Sequence, residues 1–332
     1  MRAAFYERKG PASEVLVVGD RPKPEPGPGE VLVAVRASGI NPSDTKGRNG
    51  LRGDMSMAYP LVIPHQDGAG VIEAVGDGVP ASRVGERVWL YEAQLGRPFG
   101  TAAEYVTLPS ERAVLMPDAM SFAEGACLGV PAMTAHRCVF ADGPVEGKTV
   151  LVTGGAGAVG FYAIQFAAIG GARVIATVSD DEQAEIARKA GSEFTINRRS
   201  EDVAARAAEL TGSTDGRCVD RIVEVAFGAN LPASIKMLRT NGTIAAYSSD
   251  AVPEPVLPFW PLVLLDATIR FVIVYFMTPE AHEEAIEFIG LTASEGRLIH
   301  HIGRTLPLAS IAEAHQLVES GRGGGQVVVE IG

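Results

Sequence analysis

Residues 149–160 read TVLVTGGAGAVG, and the reading of that stretch decides the fold. Thr149–Thr153 is a short apolar run rich in β-branched residues, the pattern of a strand buried on both faces. It leads directly into the glycine-rich turn, and Ala158–Ile169 follows as a helix stopped by Gly170 and Gly171. GxxGxxG between a strand and a helix is a variant of the dinucleotide-binding fingerprint. Gly154 permits the tight turn, Gly157 lets the backbone approach a pyrophosphate, and Gly160 lets the helix pack close to the strand. The helix start, with Ala156, Ala158 and Val159 in the same turn, presents free N–H groups and a positive dipole end to the phosphates. A tight βα turn without a ligand has the same local pattern, so the neighbouring segments carry weight.

Downstream, strands and helices alternate. Ala172–Val178, Phe194–Ile196, Asp220–Val225 and Gly242–Tyr247 read as strands. Asp181–Ala190, Asp202–Leu210 and Leu231–Leu238 read as helices, and Thr268–Phe276 as a last long strand. This repetition predicts an α/β fold with a doubly wound parallel sheet of the Rossmann type. Upstream, Val31–Arg36, Gly70–Val75, Glu86–Tyr91 and Ala103–Leu108 are short strand-like runs, and Pro22–Gly29 is a proline-rich turn region. They suggest a barrel-like domain. Phe122–Phe140 has helical apolar spacing. The tail carries two amphipathic helices and a final strand, Val327–Ile331, and needs a surface to pack on. The simplest surface is the first domain. The expected organisation is therefore 1–121 joined by a return segment, 281–332, around a nucleotide-binding domain at 122–280.

The 332 residues carry a formal charge of −11, a field that disfavours nucleic acid and anionic membrane surfaces. Cys127, Cys138 and Cys218 are odd in number and form no CxxC, which predicts a reduced compartment and a cytoplasmic protein. The N-terminal MRAAFYERKG has no apolar secretory core, and the longest apolar candidate, Trp260–Met277, is broken by Asp266 and Arg270. No membrane span is expected.

The choice between NAD and NADP falls at the end of the second strand. An NAD site places a carboxylate there, and Val174–Ser179 has none. Ser179 and Arg198, with Arg199 beside it, suit a 2′-phosphate instead. Ser179 with Glu182 also reads as a capping box, and the arginines also read as surface residues. The expected cofactor is NADPH.

Three stretches, SGINPSD (38–44), PHQDGAGVIEAVGDGV (64–79) and LGVPAMTAH (128–136), make the whole chain resemble the medium-chain dehydrogenase/reductase superfamily. Asn-Pro-x-Asp at 41–44, Arg48 and Gly50, and IVEVAFGANL at 222–231 resemble its quinone reductase (zeta-crystallin-like) branch. The resemblance implies a Rossmann domain plus a discontinuous GroES-like β-barrel catalytic domain. It also implies that Asn41, Gln66 and Val130 stand where zinc alcohol dehydrogenases of the superfamily keep metal ligands. None of the three offers a thiolate or an imidazole. His65, one residue away, leaves a shifted ligand conceivable. Asn41 is placed near the nicotinamide and its ribose, and Thr134 near the nicotinamide end. Val225 and Ser248, at later strand ends, complete the cofactor set. Lys46 replaces a tyrosine common near the substrate, and Gln183 replaces a lysine that often assists the 2′-phosphate.

Without a Lewis acid, acceptors that are already electrophilic are favoured. The expected function is metal-free hydride transfer from NADPH to a quinone, with Asn41, Arg48 and Thr134 as candidate catalytic residues. A reductase of conjugated enals or enones is the alternative, and a non-catalytic NADPH-binding protein the third reading. Asn41 also reads as a turn former, Thr134 as a packing residue, and Lys46 and Arg48 as surface charge. A homodimer or homotetramer is expected through the apolar edge at 268–276.

Overall fold

The structure is a computed structural model and describes residues 1–50 and 53–332. Among the described residues, fifteen strands are named in chain order. They are β1 (Arg2–Phe5), β2 (Val17–Asp20), β3 (Glu30–Ile40), β4 (Asp67–Val75), β5 (Arg87–Leu90), β6 (Tyr105–Pro109), β7 (Ala113–Leu115), β8 (Thr149–Val152), β9 (Arg173–Val178), β10 (Phe194–Asn197), β11 (Val219–Glu224), β12 (Leu238–Ala246), β13 (Thr268–Phe271), β14 (Ile302–Pro307) and β15 (Gln326–Glu330). The helices are α1 (Ala12–Val15), α2 (Pro42–Asn49), α3 (Phe122–Gly125), α4 (Met133–Phe140), α5 (Ala158–Ile169), α6 (Asp181–Lys189), α7 (Val203–Thr211), α8 (Phe227–Met237), α9 (Phe259–Val263), α10 (Pro279–Ser294) and α11 (Ile311–Glu319). The described chain forms two compact units, 1–131 with 286–332, and 132–285.

The first unit is built on β3, an 11-residue strand. Its N-terminal half pairs with β6, its C-terminal half with β15, and β4 runs along the other edge, all antiparallel. The tail therefore enters this sheet through β15, and β14, a strand absent from the sequence reading, pairs with β15 in parallel. Among the described residues the strands follow the path β14-β15-β3-β4-β5-β7, with β6 paired to β3 off that path. Alternate residues Val31, Val33 and Val35 of β3 join Ile72, Val88, Leu108, Val327 and Val329 in one core. Full burial of each such side chain contributes roughly 1.5–3 kcal/mol.

The second unit is a six-stranded parallel sheet of order β10-β9-β8-β11-β12-β13. The order reverses between β8 and β11, so the crevice for a ligand opens at the C-terminal ends of those two strands. Leu151, Ile175, Ile222 and Ile244 form one face of its core with Leu231 and Met237 of α8. α5 is apolar around its whole girth and mostly buried, as a helix covered on all sides must be.

Two expected elements are corrected. Phe122–Phe140 is not one helix. α3 ends at Gly125, a π-turn at Leu128–Ala132 contains Pro131, and α4 begins only at Met133. Pro131 lacks the N–H that a continuous helix would use. The last strand stops at Phe271 and continues as a short 3₁₀ turn, Val274–Phe276, and it is not buried. As the terminal strand of the path it has one strand neighbour, so one hydrogen-bonding edge and much of its apolar surface face outward.

Candidate functional site

The glycine-rich turn begins at Thr153, and Gly154 adopts φ +66°, a left-handed conformation that favours glycine. Thr177 of β9 fastens this turn. The Gly154 N–H donates to Thr177 Oγ1 at 3.1 Å and the Gly155 N–H to the Thr177 carbonyl at 3.0 Å. Gly157 caps α5, is exposed, and carries no side chain that could occupy the helix start. A Cβ at residue 160 would lie 3.0 Å from the Gly154 carbonyl carbon and closer still to its oxygen, so the helix approaches as tightly as only glycine allows. At residue 157 a Cβ would meet the Gly154 oxygen at 3.2 Å, a tight but survivable distance. Ala156, Ala158 and Val159 are half-buried in the same turn. A pyrophosphate suits this turn because the first N–H groups of a helix have no partner within the helix and carry the positive end of its dipole.

At the neighbouring strand ends, the Arg198 N–H donates to the Val178 carbonyl at 2.9 Å, which puts Arg198 beside Ser179. Arg198 is exposed and forms no ion pair among the described residues. With Thr153, Thr177 and Asn230 it lines a cavity of about 40 Å³. The capping box read at Ser179 and Glu182 is displaced by one residue. Asp180 caps α6 by accepting from the Gln183 N–H at 2.9 Å, and the Gln183 side chain reaches back to the Ser179 N–H at 2.9 Å. The Ser179 hydroxyl is thereby released from capping. Val225 and Ser248 lie at the ends of β11 and β12, the Ser248 carbonyl accepting from the Phe227 N–H at 3.0 Å. Thr134 is buried in the first turn of α4.

In the first unit, the Asn41 side chain donates to Asp67 Oδ2 at 2.7 Å, and the Val130 N–H donates to the same oxygen at 2.8 Å. Two of the three positions aligned with metal ligands are thus tied together by one carboxylate. Gly129 is required for it, since a Cβ there would sit 3.1 Å from Asp67 Oδ2 and closer to Oδ1. The third position, Gln66, exchanges two hydrogen bonds with Gln94, each 3.2 Å. Asp44, in the first turn of α2, accepts from the Asn41 N–H at 2.7 Å. Both carboxyls are buried, and each keeps one oxygen, Oδ1, without a hydrogen-bond partner among the described residues. Burial pushes the Asp44 carboxyl up to about 7, against the opposing bond from Asn41. It pushes Asp67 well above the carboxylate range, with the Asp44 charge adding to the rise. Burial also raises the Cys127 thiol, which keeps it unreactive.

Two sequence candidates fall away. His65 is fully buried, with Nδ1 on Ser38 Oγ at 2.7 Å and Nε2 on His315 Nε2 at 2.9 Å, so its ring is not available as a shifted ligand. Arg48 is no surface charge and is taken out of the catalytic set. Its guanidinium donates to Glu319 and to the Gly10 carbonyl, and its Nε reaches His315 Nδ1 at 3.4 Å, which locks α2 to α11. Sequence reasoning misses Thr177, Glu224, Asp44 and Asp67 as site residues. Their signal is a polar residue inside or at the end of an apolar run, or an acid beside a quoted motif.

The family model "Alcohol dehydrogenase GroES-like domain" matches residues 27–118 and "Zinc-binding dehydrogenase" matches residues 158–290. The human (Homo sapiens) quinone oxidoreductase is 30% identical over 328 residues, 97% of this chain and 95% of that protein. A 2-haloacrylate reductase of Burkholderia sp is 29% identical over 341 residues, 100% of this chain and 98% of that one. A mycobacterial protein solved in complex with NADPH superposes with a TM-score of 0.86 at 29% identity, covering 99% of this chain and 100% of that one.

Proposed function

The chain belongs to the medium-chain dehydrogenase/reductase superfamily, in its quinone oxidoreductase branch, and from that premise we propose that it reduces quinones with NADPH and without a metal ion. The observation that supports the metal-free reading is the tie at Asp67. The side chain at position 41 and the backbone at 130 are engaged by one buried carboxylate, and Gln66 is engaged by Gln94. No thiolate or imidazole remains at those positions to bind zinc.

The Gly154–Gly160 turn and the start of α5 bind the pyrophosphate. Ser179 and Arg198 receive the 2′-phosphate, and Val225 and Ser248 line the crevice at the strand ends. Bound NADPH supplies a hydride. A quinone is electrophilic enough to accept it without a Lewis acid, which leaves the protein the tasks of orientation and water exclusion. Asn41 and Thr134 are proposed to contact ligand. The likeness to a 2-haloacrylate reductase supports a second reading, reduction of a conjugated double bond.

The assay follows NADPH absorbance with panels of quinones and enones, with and without EDTA. Turnover of quinones, unaffected by the chelator, is expected. Inert quinones together with zinc-dependent alcohol oxidation would overturn the metal-free reading, and enones reacting far faster than any quinone would hand the function to the second reading.

The apolar edge of the second unit supports a homodimer. Phe259, Trp260, Leu264, Phe271 and Phe276 are each more than 60% exposed, a concentration that a partner's copy would cover. Among the described residues no helix is long and apolar enough to cross a membrane, and the three cysteines are buried and free, which fits the reduced compartment we propose.

A further inference from the structure

Glu224, the last residue of β11, has no role in the mechanism above, yet it sits at the reversal point of the sheet. It is fully buried. One carboxylate oxygen, Oε1, collects three donors. These are the Thr153 hydroxyl at 2.9 Å, the Ala226 N–H at 2.6 Å and the Asn230 side-chain N–H at 2.9 Å. Thr153 Oγ1 in turn accepts from the Val225 N–H at 2.9 Å. Thr153 immediately precedes Gly154, and Val225–Ala226 is the turn that follows β11. The two strand ends that flank the switch point are therefore joined through one carboxylate and one hydroxyl.

Glu224 Oε2 is buried with no partner among the described residues, and no ion pair to Glu224 is seen among them. Burial raises this carboxyl above its ordinary range, opposed by the bonds from Ala226, Asn230 and Thr153. The three donors gathered on Oε1 offset the desolvation of this buried group, and they come from both strand ends. Thr153 and Asn230, its two side-chain partners, also line the small cavity that reaches Arg198. That cavity exceeds the ~10–15 Å³ needed for one ordered water.

We propose that Glu224 is a positioning residue of the dinucleotide site: through Thr153 and the Val225–Ala226 turn it sets the spacing of the two strand ends across which the cofactor lies. The inference rests on the NADPH reading and deepens it. Glu224 acts on affinity through Thr153 and touches no reacting atom.

The test measures NADPH dissociation constants by quenching of protein fluorescence, beside melting temperatures, for wild type, Glu224→Gln, Glu224→Ala, Thr153→Val and the double variant Glu224→Ala/Thr153→Val. Glu224→Ala is expected to weaken NADPH about tenfold or more, the scale of losing a hydrogen bond to a charged group. Thr153→Val, which keeps shape and loses the hydroxyl, is expected to weaken it similarly. The double variant should bind no worse than either single one, because both break the same tie. Glu224→Gln keeps an acceptor oxygen and should restore near-wild-type affinity. Should Glu224→Ala fail to fold, Thr153→Val and Glu224→Gln carry the decision. Wild-type affinity in Thr153→Val and in the folded fraction of Glu224→Ala would overturn the proposal, as would losses that simply add. Wild-type protein that does not bind NADPH at all would instead sink the cofactor reading on which the proposal stands.

Discussion

Asp44→Asn is the substitution whose consequence follows most directly from the buried acids. Burial lifts the Asp44 carboxyl from 3.8 to about 7 in the folded chain. The folded state therefore holds this proton more tightly than the unfolded one. The stabilisation it brings is complete below pH ~4, declines as pH rises, and is gone above about 7. The difference between the two values corresponds to roughly 4 kcal/mol across that window. The amide introduced by Asp44→Asn is neutral at every pH, and its oxygen can still accept from the Asn41 N–H. Removing the Asp44 charge also relieves part of the upward push on Asp67, so the variant flattens the profile by more than one group. The assay is urea unfolding from pH 4 to 8, followed by the fluorescence of Trp89, which is buried in the unit that contains Asp44. Relative to wild type, the variant should gain stability progressively from pH 4 to 7 and hold that gain at pH 8. Two curves that stay parallel over the whole range would refute the assignment of a proton to this carboxyl.

Three further outcomes are expected. Gly157→Ala should leave the melting temperature nearly unchanged and abolish NADPH binding, whereas Gly160→Ala, whose Cβ would strike backbone, should lose both stability and binding; calorimetry and fluorescence titration separate the two. Arg198→Ala removes a charge-assisted contact of roughly 1.5–3 kcal/mol, so titration should show NADPH weakened about tenfold or more and NADH little changed; equal loss for both cofactors would mean that Arg198 does not read the phosphate. Phe271→Glu places a charge on the exposed edge strand and should give monomers in sedimentation velocity, against dimers for wild type.

The fingerprint is legible because it depends on neighbours in sequence. Strand, glycine spacing and helix at 149–169 fall within 21 consecutive residues, and the alternation that follows repeats one short pattern. Elements that depend on distant contacts are not legible in the same way. Arg48 reads as a solvated charge in the polar helix PSDTKGRN, and only the arrival of His315 and Glu319, more than 260 residues later, buries it. β14 has little apolar alternation, and its pairing with β15 makes it a strand. The capping box lies one residue from its expected place because Asp180 and Ser179 are both good caps, and the local pattern does not rank them. Phe122–Phe140 keeps helical spacing through Pro131, so periodicity alone overruns the break.

The replaced ligand positions show why residue type and residue role separate in this chain. A zinc ion ties three segments with bonds that need no particular backbone at each segment. A carboxylate does the same for Asn41 and Val130 only under further conditions. It must be buried, or water would compete for its lone pairs. The residue beside Val130 must be glycine, because Asp67 occupies the space of a Cβ at 129. Asn at 41 is then required as a donor, where a thiolate could only accept. The penalty of that burial appears as raised proton affinity at Asp67 and Asp44, which ties the geometry of this loop cluster to pH. Asn41, Asp44, Asp67 and Gly129 are therefore one device. Changing any one of them toward a metal-ligand residue, Asn41→Cys for instance, would therefore dismantle the tie without building a metal site.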